Sequence, residues 1–211
     1  MATIEQEHSV SQKNLWATYF TSLTVLLGTA FFWNLMDVFT PFFTPSIMMV
    51  FWSVFIAVSI WSLVFIVKKR RYKKPKAFRP IIIQLVAVSI VFAVPFTQIM
   101  INLDFKFNLN DRNKVVAMVQ SGTLTPNVSH NEKLIFLPKQ YRHLSKGGGE
   151  ILVAEKGKEN HIFFFTFRGI LENYSGYMYR FDDSFPNNGD FNSEFYQKER
   201  LAPNWYWVSA H

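Results

Sequence analysis

The chain has 211 residues, 49% of them hydrophobic and 18% aromatic, with 23 Phe and no Cys. Without cysteine there is no disulfide framework, thiolate metal site or cysteine nucleophile. The formal charge of +7 does not point to nucleic acid: eight of the 22 Lys and Arg residues crowd into positions 68–79, whereas from Asp104 to His211 13 basic side chains meet 12 acidic ones.

Residues 1–14 read as a short cytoplasmic tail. Three stretches then carry no charged residue: Leu15–Met36, Ser46–Val67 and Pro80–Leu103. At about 1.5 Å rise per residue each crosses a hydrocarbon layer of roughly 30 Å, and Trp16 and Trp33 sit near the ends of the first. The first apolar run is too long for a signal-peptide core and no small-residue cleavage site comes after it, so a retained helix is expected. The fold class is therefore a membrane protein: three transmembrane α-helices within 15–103, then a small α+β domain over 104–211. That domain is expected to hold an antiparallel sheet of about four to six strands and two short helices.

Loop charge orients the spans. The connection 37–45 has no Lys or Arg and the loop 68–79 has eight, so the second connection belongs in the cytoplasm and residues 104–211 outside it. Lys68, Lys69, Arg70, Arg71, Lys73, Lys74 and Lys76 are candidate contacts for anionic lipid headgroups at about 1 kcal/mol per charge. Topology alone already accounts for them. Within the spans Asn34, Gln84, Thr97 and Gln98 are polar and Pro95 is expected to kink the third helix. No ionisable side chain lies at depth, so ion or proton transport is not expected, and the spans serve as an anchor or a docking surface for another helix.

Past the third span, Asn108–Gln120 has a helical apolar stripe, with Asn108 or Asn110 as cap and Gly122 as terminator. Lys133–Leu137 reads as a strand. Pro138 opens a helical turn to Leu144, and Gly147, Gly148 and Gly149 separate that turn from the next strand. Glu150–Glu155, His161–Phe167, Tyr177–Phe181, Phe195–Glu199 and Trp205–Val208 read as strands of an antiparallel meander. Ile162–Phe167 is apolar on both faces, which places it centrally. Alternation puts Tyr177 and Tyr179 on one face of their strand and Trp205 and Trp207 on one face of theirs. These four are the candidate ligand or partner surface, for a cell-wall sugar, a protein or the membrane; filling a core that lacks disulfides is the simpler use.

No motif specifies a reaction. The glycine triplet has its lysine on the wrong side for a phosphate loop, and His130, His143 and His161 lack metal-site spacing. Ser145, His143 and Asp182 form only a chance trio. Asp182, Asp183 and Asp190 read as a solvated acidic loop, and Asn127 and Asn173 head glycosylation triplets. No cofactor or metal is expected. The function expected is a membrane-anchored extracytoplasmic interaction or assembly module, its partners the lipid bilayer and another membrane or envelope protein. The alternatives are an enzyme acting on a lipid or cell-wall substrate through His143, Arg168 or Asp182, and a regulator sensing lipid through the basic loop.

Overall fold

The computed structural model describes residues 2–69, 78–129, 131–156, 159–169 and 173–210. The chain divides into two compact units, Met1–Met100 and Ile101–His211.

The first unit holds α1 (Ala2–Ala30), α2 (Phe32–Lys69), α3 (Arg79–Ala93) and the first residues of α4 (Phe96–Gln120). Ser62 Oγ donates to Asn14 Oδ1 at 3.1 Å, and the Gly28 backbone lies so close to Met48 that a Cβ there would meet its sulfur at 3.0 Å. Both pairs are centred on residue 38, so α1 and the body of α2 run antiparallel and the chain reverses between Gly28 and Met48. The buried residues include small and polar ones, Asn14, Thr18, Thr21, Ser22, Thr44, Ser62 and Gln84, beside the apolar Val25, Met48, Phe55 and Ala87. The outward ones are large and apolar, including Trp16, Phe20 and Leu23 on α1, Val54, Ile56 and Ile60 on α2, and Leu85, Val86 and Phe92 on α3.

Among the described residues one helical stretch, Phe43–Val67, is by itself long and apolar enough to cross a membrane. The first expected span does not reach that measure, because α1 ends at Ala30, inside the span. The third is divided. Val94 is extended (φ −97°, ψ 119°) before Pro95, since a residue preceding proline is pushed out of helical geometry, and α3 and α4 reach the measure only together, as a bent pair. The separate helix expected from Asn108 is the second half of α4. Asn108 caps nothing: its amide donates back to the Asp104 carbonyl at 3.1 Å. Gly122 (φ 71°) does follow the helix end.

The second unit is a six-stranded antiparallel sheet laid on α4. Its strands are β1 (Leu134–Phe136), β2 (Glu150–Lys156), β3 (Glu159–Arg168), β4 (Tyr174–Arg180), β5 (Phe195–Ala202) and β6 (Trp205–Ala210), in the order β1-β2-β3-β4-β6-β5. Short 3-10 helices occupy Lys139–Leu144 and Asp190–Asn192. The meander therefore fails at its end. After β4 the chain runs through residues 181–194 to the far edge, lays down β5, turns at Pro203 and Asn204, and inserts β6 beside β4. The apolar content decides this: every residue of β6 is buried, as an interior position requires, while β5 carries Gln197, Lys198, Glu199 and Arg200 and suits an edge.

Register sorts the side chains onto two faces. Ile135, Ile151, Phe164, Tyr177 and Trp207 are aligned across five strands, and with Ile162 and Trp205 they pack against Ile101, Phe105, Val115 and Val116 of α4. On the other face Phe163, Phe165, Met178, Phe195, Tyr206 and Val208 form a second core, roofed by Asp183, Phe185 and Phe191 of the segment that follows β4. Phe191 holds φ 54°, a left-handed conformation that costs of order 1–2 kcal/mol. That conformation brings its ring to 5.7 Å from Phe163. Large aromatic rings stand in for the missing disulfides: at 150–250 Å² apiece and about 25 cal/mol per Å², each contributes about 4–6 kcal/mol before ordering costs.

The two sheet edges are closed differently. Asn127 covers β1 with its side chain, accepting from the Phe136 N–H at 2.7 Å and donating to the Phe136 carbonyl at 3.1 Å. On β5, register puts Lys198 and Arg200 on the roofed face, opposite Val208 and Tyr206, and Gln197 and Glu199 on the helix face.

Candidate functional site

The four aromatic candidates come together, but mostly inside. Tyr177, Trp205 and Trp207 are buried, and Tyr179 is half-buried at the same end of the sheet. The Tyr177 hydroxyl donates to the Ile101 carbonyl at 2.8 Å, Arg112 stacks over its ring at 4.1 Å, and burial pushes the phenol pKa far above the ordinary range. Trp205 Nε1 donates to Asn113 Oδ1 at 3.1 Å, and Phe105 meets the Trp205 ring edge-on at 5.6 Å. These contacts pin α4 to the sheet. They leave no row of rings for a ligand.

What remains open is a groove of about 390 Å³ beside them. Leu109, Asn113, Val116, Ala117 and Gln120 of α4 form one wall; Tyr179, Ala202, Pro203, Asn204 and Trp205 form the other. The α4 residues span three helical turns, about 16 Å at 1.5 Å per residue. No lining residue is charged. The polar side-chain groups are three carboxamides, the Tyr179 phenol and the Trp205 indole N–H; Asn113 already accepts from that indole, and Asn204 donates to the Arg180 carbonyl at 2.6 Å. Such a wall offers an apolar surface and hydrogen-bonding groups without a charged side chain.

The titratable residues singled out from sequence are spent elsewhere. The Ser145 hydroxyl accepts from Phe165 N at 2.9 Å and donates to the Glu150 carbonyl, joining β2 to β3. His143 is exposed on its 3-10 helix. Arg168 pairs with Glu150 at 2.7 Å and lies over the Phe165 ring. Asp182 accepts from Arg180 and from Ser184 N. Of the Ser145, His143 and Asp182 trio, Ser145 and Asp182 are thus committed to separate partners. The glycine triplet takes φ values of 74°, 127° and 78°, a turn open to glycine alone, and leads into β2. Among the described residues no group of three or more His, Cys, Asp and Glu could hold a metal ion. Lys68 and Lys69 close α2; Arg70, Arg71, Lys73, Lys74, Lys76 and His130 lie outside the described residues.

The acidic loop is not simply solvated. Asp190 is buried, bonded to Arg180 Nη1 and to Asn187 N at 3.0 Å, with His161 Nε2 at 4.0 Å. Arg180 itself is buried and also reaches Asp182. The missed signal was Phe181, Phe185 and Phe191 in the same segment: three phenylalanines have no use in a purely solvated loop. The chain matches no known family model, no curated protein and no solved structure.

These ion pairs set a pH dependence. Partial burial raises the Asp182 pKa, but the hydrogen bonds from Arg180 and Ser184 outweigh it and hold the carboxyl well below the usual carboxylate range. A carboxyl lowered on folding adds stability above its unfolded pKa and loses that stability as pH falls toward the folded value. Thermal unfolding midpoints should therefore drop on acidification below about pH 4, with a shallower drop in Asp182→Asn.

Proposed function

We propose that the chain is an integral membrane protein of three spans, which display residues 104–211 on the non-cytoplasmic side as a module binding a neutral protein or envelope component. The observation that carries the membrane assignment is the inside-out pattern of the first unit. Asn14, Thr18, Ser22, Ser62 and Gln84 are buried while Trp16, Phe20, Leu85 and Phe92 are bare. In water that arrangement exposes a large apolar surface with nothing to gain, whereas in hydrocarbon it lets small and polar residues pack helix against helix. The hydroxyls of α1 fit the same solvent: Thr18, Thr21, Thr24 and Thr29 each donate to a carbonyl four residues back, at 2.7–2.8 Å. These four hydroxyls are thereby satisfied without water, whereas Ser22 Oγ is buried with no hydrogen-bond partner among the described residues.

Binding rather than catalysis is supported by the uncharged groove and by the internal pairing of Arg168, Arg180, Asp182 and Asp190. The natural lack of cysteine makes the topology directly measurable. A membrane-impermeant maleimide added to intact cells should label Gln197→Cys and leave Lys73→Cys unlabelled until the membrane is permeabilised. The opposite pattern would invert the map and withdraw the extracytoplasmic partner.

A further inference from the structure

On the reading that α1–α3 sit in a bilayer, we infer that α4 continues along the lipid past Leu103, the expected end of the third span, with Phe107 seated at the acyl–headgroup boundary as an anchor for the second unit. Phe107 is 83% exposed, the highest value for a large apolar side chain among the described residues. Ile99 (42%) and Leu103 (43%) precede it at four-residue intervals, so the three form one stripe about 12 Å long on a helix rising 1.5 Å per residue. The opposite face of the same helix, through Ile101, Phe105 and Arg112, is buried. Phe107 therefore contributes nothing to either core, and its ring is free to meet a second apolar phase.

The occupant is indicated by what surrounds the stripe. Its amino-terminal part, Ile99 and Leu103, lies within the third span, so lipid already faces the same side of the helix one turn earlier. Asp104, one turn before Asn108, would resist the approach of hydrocarbon as a free anion. Its carboxylate is instead neutralised by Arg112 at 2.6 Å, a side chain 1% exposed, and accepts from Asn108 at 2.9 Å. Lys106 is exposed beside Phe107, where a long cationic chain reaches phosphate headgroups while its stem stays in the apolar layer. The next turn is polar: Asn110, then Asp111 paired with Lys114 at 2.7 Å. An apolar stripe, a flanking cation and an immediate polar stop are the features of a segment ending at a membrane surface.

Spin labels on single-cysteine variants of the full chain test this directly, because no native cysteine competes. The protein is reconstituted in vesicles of phosphatidylcholine and phosphatidylglycerol, and relaxation of each label is measured with oxygen, which concentrates in lipid, and with a neutral nickel chelate, which stays in water. Phe107→Cys and Leu103→Cys should be relaxed more by oxygen than by nickel, as Val54→Cys in α2 is; Gln120→Cys at the end of α4 should show the reverse. A nickel-dominated signal at 103 and 107 with an oxygen-dominated one at 54 would overturn the anchor and leave the membrane assignment standing. Nickel dominance at all three would remove that assignment as well. Shielding of 107 from both reagents would mean that a second copy of the chain covers it, which also overturns the inference.

Discussion

Replacing Gly176 by alanine is expected to cost at least about 3 kcal/mol, at or above the top of the range for overpacking a well-ordered core, and to lower the denaturant midpoint accordingly. A Cβ at this position would lie 2.1 Å from the Phe164 carbonyl oxygen and 2.6 Å from the Phe163 ring. The ring could rotate away. The carbonyl belongs to β3, which is paired on both sides by β2 and β4, and it cannot retreat without opening the ladder at the centre of the sheet. Denaturant unfolding of Gly176→Ala with and without Phe163→Leu separates the two obstacles: stability should stay low in the double variant. Recovery there would identify the ring as the sole obstruction.

The second large effect is expected at Asp190. Asp190→Ala takes the buried counterion from the Arg180 guanidinium and leaves it the partly exposed Asp182, and removing one partner of a buried pair typically costs about 3–5 kcal/mol. It also frees the Asn187 N–H. A buried pair replaced on both sides by apolar residues of similar size is often close to neutral. Arg180→Met with Asp190→Leu should therefore recover most of the loss. A double-mutant cycle by chemical denaturation reads the difference. If Asp190→Ala costs less than about 1 kcal/mol, in the range of a surface pair, the roof over Phe163 and Tyr206 is held by ring packing instead.

Both residues show where sequence and structure part company. The strands were legible because their apolar runs are short, β-branched or aromatic, and bounded by Gly, Pro and Asn; Phe163 and Phe164 announce a doubly covered strand without any neighbour being known. The sheet order was not legible, since an antiparallel strand can pair with the one before it or the one after, and only the contrast between all-buried Trp205–Ala210 and charged Gln197–Arg200 resolves it. Asp190 was misread because adjacent acidic residues resemble a solvated run, while its partner Arg180 lies across a loop. Tyr177 and Trp205 were visible as a cluster, but period-2 alternation states which residues share a face and not which face meets α4. In the first unit, the break at Val94 was announced by Pro95. The packing of α1 on α2 was not, because Asn14 and Ser62 are 48 positions apart.

The charges on β5 bear on how many copies can live side by side. In an antiparallel two-fold pairing of this edge with itself, side chains that meet come from the same face of the sheet. Centring the pair on Lys198 or Arg200 sets that cation against its own copy; centring it on Glu199 sets Glu199 against Glu199 and Lys198 against Arg200. On the proposed membrane assignment, molecules sharing one bilayer would meet far more often than the same number free in solution. Under that crowding an uncharged open strand would zip neighbours into a continuous ribbon. Three alternating charges disfavour that pairing.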